Sequence, residues 1–181
     1  MIYADPPWQY SSNELYGDKI ANKDKRENRF RKLDRKYNTM SIKKLKELPI
    51  DKISKENSIC FLWATDSHMK EGIKVLESWG FEYKTVAFNW IKYYNSGKLC
   101  INVAPWTLKS WELCLLGVKG KMSKFKTSDK IRGLVKAERT KHSKKPNEVR
   151  KRINALFTKE SKIELFAREK TEGWNVWGNE V

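Results

Sequence analysis

Apolar residues in this chain come in short dense runs separated by amphipathic stretches. Met1-Ile2-Tyr3-Ala4 reads as a short buried strand, and Ser58-Ile59-Cys60-Phe61-Leu62-Trp63-Ala64 as a central one. Tyr83 to Ile91, Trp111 to Val118 and Ile163-Glu164-Leu165-Phe166-Ala167 read as three more. Helical spacing lies between them. Ser41 caps a helix running through Leu48 and stopped by Pro49. Asp66 or Ser67 caps a second, with Met69, Ile73, Leu76 and Trp79 on one face and Gly80 at its end. Pro146 sits in the first turn of a third, which carries Val149, Ile153 and Leu156. Strands alternating with helices predict an α/β fold, a mostly parallel sheet with helices on both faces. Trp63, Trp79 and Trp90 fall within these patterns and are expected in the core. With 181 residues, one domain spanning 1–181 is expected.

Charge changes this picture. The net charge is +16, and it is concentrated: residues 19–46 hold twelve Lys/Arg against three Asp/Glu, and residues 119–152 hold fourteen against three. The apolar pattern is poor there, so basic loops are expected near 11–38 and 119–145. Clustered positive charge is the footprint of a polyanion partner, with phosphate contacts supplying affinity, so nucleic acid is the expected partner. A lysine-rich solvated surface would look similar.

Several chemistries lose their usual support. The chain has no GxxxxGK[ST] phosphate loop, no GxGxxG fingerprint and no GxSxG elbow. Cys60, Cys100 and Cys114 lie far apart, and His68 and His142 are the only histidines, so no metal site is expected. Unpaired cysteines suggest a reducing, cytoplasmic compartment, and no apolar run reaches the ~20 residues of a membrane span.

Asp5-Pro6-Pro7-Trp8, directly after the first strand, is the candidate reactive loop. An exocyclic amine such as adenine N6 is a poor nucleophile because its lone pair is delocalised into the ring. A carboxylate accepting one N–H, with a backbone carbonyl accepting the other, favours a more tetrahedral nitrogen able to attack a methyl group. Pro6 and Pro7 stiffen the loop that holds those acceptors, and Trp8 offers a face for a flipped base. An Asp-Pro-Pro segment is also a common rigid turn, and an aromatic after it is commonly core.

Further segments complete the pattern: Tyr37-Asn38-Thr39-Met40-Ser41, Phe61-Leu62-Trp63 with Ser78-Trp79-Gly80-Phe81, Trp111-Glu112-Leu113-Cys114-Leu115-Leu116-Gly117, His142-Ser143-Lys144-Lys145-Pro146, and Gly173-Trp174-Asn175-Val176-Trp177-Gly178-Asn179-Glu180-Val181. With Asp5-Pro6-Pro7-Trp8, and in this order over nearly the whole chain, they closely resemble the adenine-N6 methyltransferase family typified by the catalytic subunit of the mRNA m6A writer and its bacterial and phage relatives. The resemblance implies a Rossmann-like, S-adenosylmethionine-dependent methyltransferase fold in circularly permuted order. The Asp-Pro-Pro-Trp strand comes first in it, and the donor strand near Glu164 last. It implies a donor site drawn from Asp5, Lys145, Glu164, Phe166, Arg168, Asn179 and Glu180. Of these, Lys145 would reach the donor's carboxylate, while Asn179 and Glu180 would contact its ribose region. Target contacts are expected from Trp8, Tyr10, Tyr37, Lys109 and Glu112.

Blander roles stand beside several of these. Lys145 could simply begin a surface helix, Arg168 could pair with Glu164 or Glu169, and Glu112 could merely pair with a lysine. Trp106 and Trp111 follow Pro105 in a loop that could face substrate. Only four residues precede Asp5, so a donor-contacting segment that many relatives carry upstream is expected to be lacking. DNA is the favoured substrate with RNA as the alternative, and a noncatalytic nucleic-acid-binding subunit is a third reading. No target-recognition domain is visible, so specificity would come from the basic loops, a homodimer or second methyltransferase-like subunit, or be low.

Overall fold

In the computed structural model, the described residues are 1–9, 39–102, 104, 106–140 and 144–181. The 11–38 basic loop, Tyr10, Tyr37, Pro105 and His142 therefore lie outside the described residues. Seven strands form one sheet: β1 Ile2–Ala4, β2 Ser58–Ala64, β3 Glu82–Tyr93, β4 Trp111–Lys119, β5 Leu134–Glu138, β6 Ile163–Leu165 and β7 Asn175–Trp177. Their order across the sheet is β5-β3-β4-β2-β1-β6-β7. Only β4 runs antiparallel, to both β2 and β3, while the other four pairings are parallel. This is the expected mostly parallel α/β sheet. β1 lies between β2 and β6, so the first strand of the chain and a strand some 160 residues later are neighbours, with Tyr3 opposite Glu164.

The period-2 alternation of strand side chains divides the apolar residues between two cores. On one face Ile2, Ala4, Cys60, Leu62 and Ala64 pack with Leu45, Val75, Leu76 and Trp79. These last come from the helices α1 (Ile42–Lys46) and α3 (Met69–Ser78), with α2 (Ile50–Ile53) between them. On the other face Tyr3, Ile59, Phe61 and Trp63 pack with Val149 and Ile153 of α4 (Asn147–Leu156). Helices thus cover both faces. Buried tryptophans tie neighbouring elements together through their indole N–H groups: Trp79, at the end of α3, donates to the Leu45 carbonyl of α1 at 2.8 Å, and Trp90 of β3 to that of Ala137 in β5 at 3.0 Å.

Local signals explain most element ends. The Ser41 hydroxyl accepts from the Lys44 N–H at 3.3 Å and caps α1. Gly80, at φ 82°, adopts the left-handed turn that stops α3. Three expectations need correction. Asp66 and Ser67 do not cap α3 but form a single 3-10 turn, Asp66–His68, in front of it. The stretch 119–145 is not all loop, because Leu134–Glu138 adds β5 at the sheet edge beside β3. The donor strand near Glu164 is not the last one, since β7 follows and pairs with it in parallel. Among the described residues no helix is long and apolar enough to cross a membrane.

Candidate active site

The parallel strands β1, β2 and β6 end on one side of the sheet, where an open α/β sheet forms its ligand crevice. Asp5 stands there, one residue past β1, its N–H directed at the Leu165 carbonyl of β6 at 3.5 Å. Pro6 and Pro7 have no N–H to donate, so the loop is held by its carbonyls and by Trp8. The Trp8 N–H donates to the Pro6 carbonyl at 2.9 Å, and the Met40 N–H to that of Pro7 at 2.8 Å. The Trp8 indole N–H donates to the Trp63 carbonyl at 2.9 Å, pinning the loop to the end of β2. Trp8 is only 6% exposed and its ring lies against His68, centroids 5.4 Å apart. This packing corrects the expectation of an open base platform, because the ring is tucked beneath the loop rather than presented beside it.

Asp5 belongs to a compact charge network. Lys145, from the segment that leads into α4, places Nζ 2.8 Å from both Asp5 carboxylate oxygens. The same ammonium lies 3.3 Å from Oε2 of Glu112, whose Oε1 accepts from Lys92 Nζ at 3.0 Å. Two carboxylates and two ammoniums thus neutralise one another where each side chain is at most 19% exposed. Lys145 Nζ also stands 5.6 Å from the centroid of the Trp63 ring, which adds a cation–π contact. Burial pushes the Asp5 carboxyl up, with Lys145 opposing and the charge of Glu112 adding to it. Burial also disfavours ionised Glu112, yet Lys145 and Lys92 together overcome this and hold its pKa below the usual carboxylate value. Burial alone would lower Lys145; Asp5 and Glu112 reverse that and keep it firmly protonated. Asp5 is therefore the more readily protonated carboxylate of the network.

The expected donor residues divide into two groups. Glu164 is locked away: Arg150 of α4 grips it through two hydrogen bonds, Nε to Oε2 at 2.9 Å and Nη2 to Oε1 at 3.0 Å. Strand alternation is the reason, since Glu164 faces α4 together with its register partner Tyr3. The expectation that Glu164 takes the donor is therefore corrected to an ion pair between β6 and α4. Arg150 also reaches Glu169 at 3.5 Å, and Lys144 does so at 2.9 Å. The segments carrying Phe166 and Arg168, on one side, and Trp177 and Glu180, on the other, do converge, with Asn179 next to Glu180 in the chain. Phe166 leaves β6 at φ 60°, unusual for a residue with a Cβ, and its ring meets Trp177 edge-on at 5.4 Å. Arg168 pairs with Glu180 at 3.8 Å rather than with Glu164 or Glu169. Gly178 permits this approach, because a Cβ there would stand 2.2 Å from the Ala167 carbonyl oxygen.

Of the target candidates, Glu112 lies in the Asp5 network, whereas Lys109 ion-pairs with Asp66 at 2.8 Å and stands 5.2 Å from the centre of the Trp111 ring. Trp106 is 95% exposed. Lys92, Arg150 and His68 are structurally central and were not singled out by the sequence. Nothing in the sequence marks Lys92 or Arg150 among the many basic residues, and His68 enters there only as one of two histidines, in the first turn of the helix that Asp66 or Ser67 is expected to cap. Among the described residues no cluster of three His, Cys, Asp or Glu could hold a metal ion.

The fold coincides with that of a known family. The MT-A70 family model matches residues 1–180. The chain is 38% identical to the type II methyltransferase M.MunI of a Mycoplasma species, the match covering 100% of this chain and 77% of that protein. It is 27% identical to the human N(6)-adenine-specific methyltransferase METTL4 and 26% to an Arabidopsis thaliana N(6)-adenosine-methyltransferase MT-A70-like protein, all of this chain matching 37% and 23% of those proteins. The chain thus spans well under half the length of these two plant and animal relatives. A family model matched over residues 1–180, with a relative of 38% identity matched over 77% of its own length, places this chain in the MT-A70 family of S-adenosylmethionine-dependent adenine-N6 methyltransferases.

Proposed function

We propose that this chain methylates the N6 amine of adenine in DNA, with Asp5 as the residue that receives the amine. The observation that carries this reading is the placement of the Asp5 carboxylate at the carboxyl end of β1, held by a buried ammonium and stiffened by two prolines. The crevice suits the donor, since it offers a buried cation, an aromatic ring in a left-handed turn and the Arg168–Glu180 pair on one side of the sheet. Lys145, Phe166, Arg168, Asn179 and Glu180 would hold S-adenosylmethionine. When bound, that group would supply a methyl carbon made electrophilic by its sulfonium and, as the carbon–sulfur bond breaks, would leave as the neutral thioether.

The protein's own part is orientation and charge. Asp5 accepts one amine N–H; the Pro6 carbonyl, already bonded to the Trp8 N–H, accepts the other through its second lone pair. As the C–N bond forms, the amine becomes positive, and the fixed carboxylate stabilises that charge without reorganising. The N6 proton then leaves toward Asp5 or water. Lys145 keeps Asp5 ionised and aimed. Trp8 braces the loop from below.

DNA is preferred because the Mycoplasma type II methyltransferase is matched at higher identity and over more of its length than relatives whose names specify adenosine or RNA. In a duplex the adenine must leave the stack, at a cost of a few kcal/mol. Pairing with a second copy or another methyltransferase-like subunit is the accompanying partner reading. It is supported by the exposed apolar side chains Ile101, Trp106 and Leu108 between β3 and β4. Light scattering of the purified chain tests it, two chains per particle being expected.

The activity test is methyl transfer to duplex DNA, single-stranded DNA and RNA, with the product nucleosides resolved by mass. N6-methyladenine in DNA is expected. Product confined to RNA would replace the substrate, and donor binding without product on any of the three would replace the enzyme reading with that of a noncatalytic subunit.

A further inference from the structure

His68 is 2% exposed, and the chemistry above makes no use of it. Its ring lies on Trp8 at an interplanar angle of 30°. Its Nε2 is 3.1 Å from the Gln9 carbonyl oxygen, and its Nδ1 is 3.1 Å from Thr65 Oγ1 and 3.3 Å from Ser67 Oγ. A carbonyl can only accept, so Nε2 carries a proton and donates to Gln9. In the neutral ring Nδ1 then accepts from a hydroxyl, and Thr65 and Ser67 both offer one. These contacts fix which nitrogen faces Gln9 as well as the position of the ring.

This matters because the reactive loop has few anchors of its own. Positions 6 and 7 have no N–H, and the Asp5 N–H reaches Leu165 only at 3.5 Å. The far end, Trp8-Gln9, is held by the indole bond to Trp63 and by His68, which grips both the Trp8 face and the Gln9 carbonyl. The 3-10 turn that carries His68 is itself tied to the β3–β4 connection through Asp66 and Lys109 at 2.8 Å. The latch therefore stands on a fixed base.

We propose that His68 is a positioning residue: an imidazole whose Nε2–H holds the Gln9 carbonyl, latching the Asp5–Gln9 loop to the end of β2 and so aiming the Asp5 carboxylate and the Pro6 carbonyl at the target amine. This rests on the adenine-N6 reading of the site, but one readout does not. In the full chain, His68→Phe keeps a ring on Trp8 and removes the Gln9 and Thr65 bonds, whereas His68→Gln restores a donor at about the position of Nε2.

Amide hydrogen exchange at Trp8 and Met40 should quicken about 10-fold in the Phe variant, while α3 amides keep their wild-type rates. Turnover at saturating donor and DNA should fall about 10-fold or more, because a misplaced acceptor costs rate rather than donor affinity, which should hold within about 2-fold. The Gln variant should recover most of both. Wild-type exchange and turnover in the Phe variant, or a Gln variant no better than Phe, would overturn the latch. Should Phe not fold, His68→Asn takes its place, since its shorter amide does not reach Gln9. Exchange equal in Asn and Gln would then overturn it. A wild-type chain that methylates no adenine would sink the adenine reading, while the exchange comparison still decides the latch.

Discussion

Two buried charge clusters flank β1, and they are built differently. Toward β2 and β4, Lys145 and Lys92 share Asp5 and Glu112 through single ammonium groups at 2.8–3.3 Å. Toward β6 and α4, the Arg150 guanidinium holds Glu164 through a two-pronged grip at 2.9 and 3.0 Å. An ammonium is a point charge on a flexible stem and can exchange partners at little geometric cost, whereas a bidentate guanidinium fixes its carboxylate in one plane. The first cluster can redirect a charge when a ligand arrives. The second joins a strand to a helix. Both read alike in sequence, as a Glu or Asp within a basic chain.

Removing the central ion of each cluster sharpens this contrast. Lys145→Ala leaves Asp5 and Glu112 facing each other with Lys92 alone to offset them, and should cost about 3–5 kcal/mol in denaturant unfolding along with most of the methylation. Loss of activity at unchanged stability would show that the network is not structurally coupled. Arg150→Lys keeps the charge but not the fork, and should cost about 1.5–3 kcal/mol while the folded variant methylates as wild type does. A folded Arg150→Lys chain with lowered donor affinity would return Glu164 to the donor site.

Titration separates the two carboxylates of the first cluster. The Asp5 pKa is raised by burial, so methylation should rise with pH through a midpoint above that of an ordinary aspartate as Asp5 ionises. Glu112 is held below its usual pKa despite burial, because Lys145 and Lys92 outweigh it. Its contribution to stability is then full above the unfolded pKa and is lost as pH falls through the folded one. Acid unfolding monitored in wild type and Glu112→Gln should show that the variant lacks this part of the acid sensitivity. At the small end, Trp106→Ala should move unfolding of the single chain by no more than about 0.5 kcal/mol, because its side chain is 95% exposed there, while weakening the pairing of two chains seen by light scattering.

The legible parts of the chain are those where local pattern and tertiary packing agree. β2 is buried at every position, so its unbroken apolar run names it directly. α3 and α4 bury one face each and announce it by spacing. β5 and β7 are different. Leu134-Val135-Lys136-Ala137-Glu138 and Asn175-Val176-Trp177 are short, mixed in polarity and mostly exposed, and they become strands only because β3 and β6 offer them backbone partners. The same division runs through the site. The resemblance puts Asp5 and Lys145, 140 residues apart, in one donor site without pairing them, and the fold brings them to 2.8 Å. The Arg150 grip on Glu164 and the His68 contact with Trp8 depend on which way a side chain leaves its backbone, which no spacing rule supplied.

The central claim is that the Asp5 carboxylate receives the target amine, and Asp5→Asn tests it most directly. The substitution keeps shape and removes the charge. Donor binding by calorimetry and single-turnover methyl transfer to duplex DNA should be measured on the same preparation. The account predicts folded protein that still binds S-adenosylmethionine and forms N6-methyladenine at least about 100-fold more slowly. A variant that binds donor and turns over within a few-fold of wild type would contradict it.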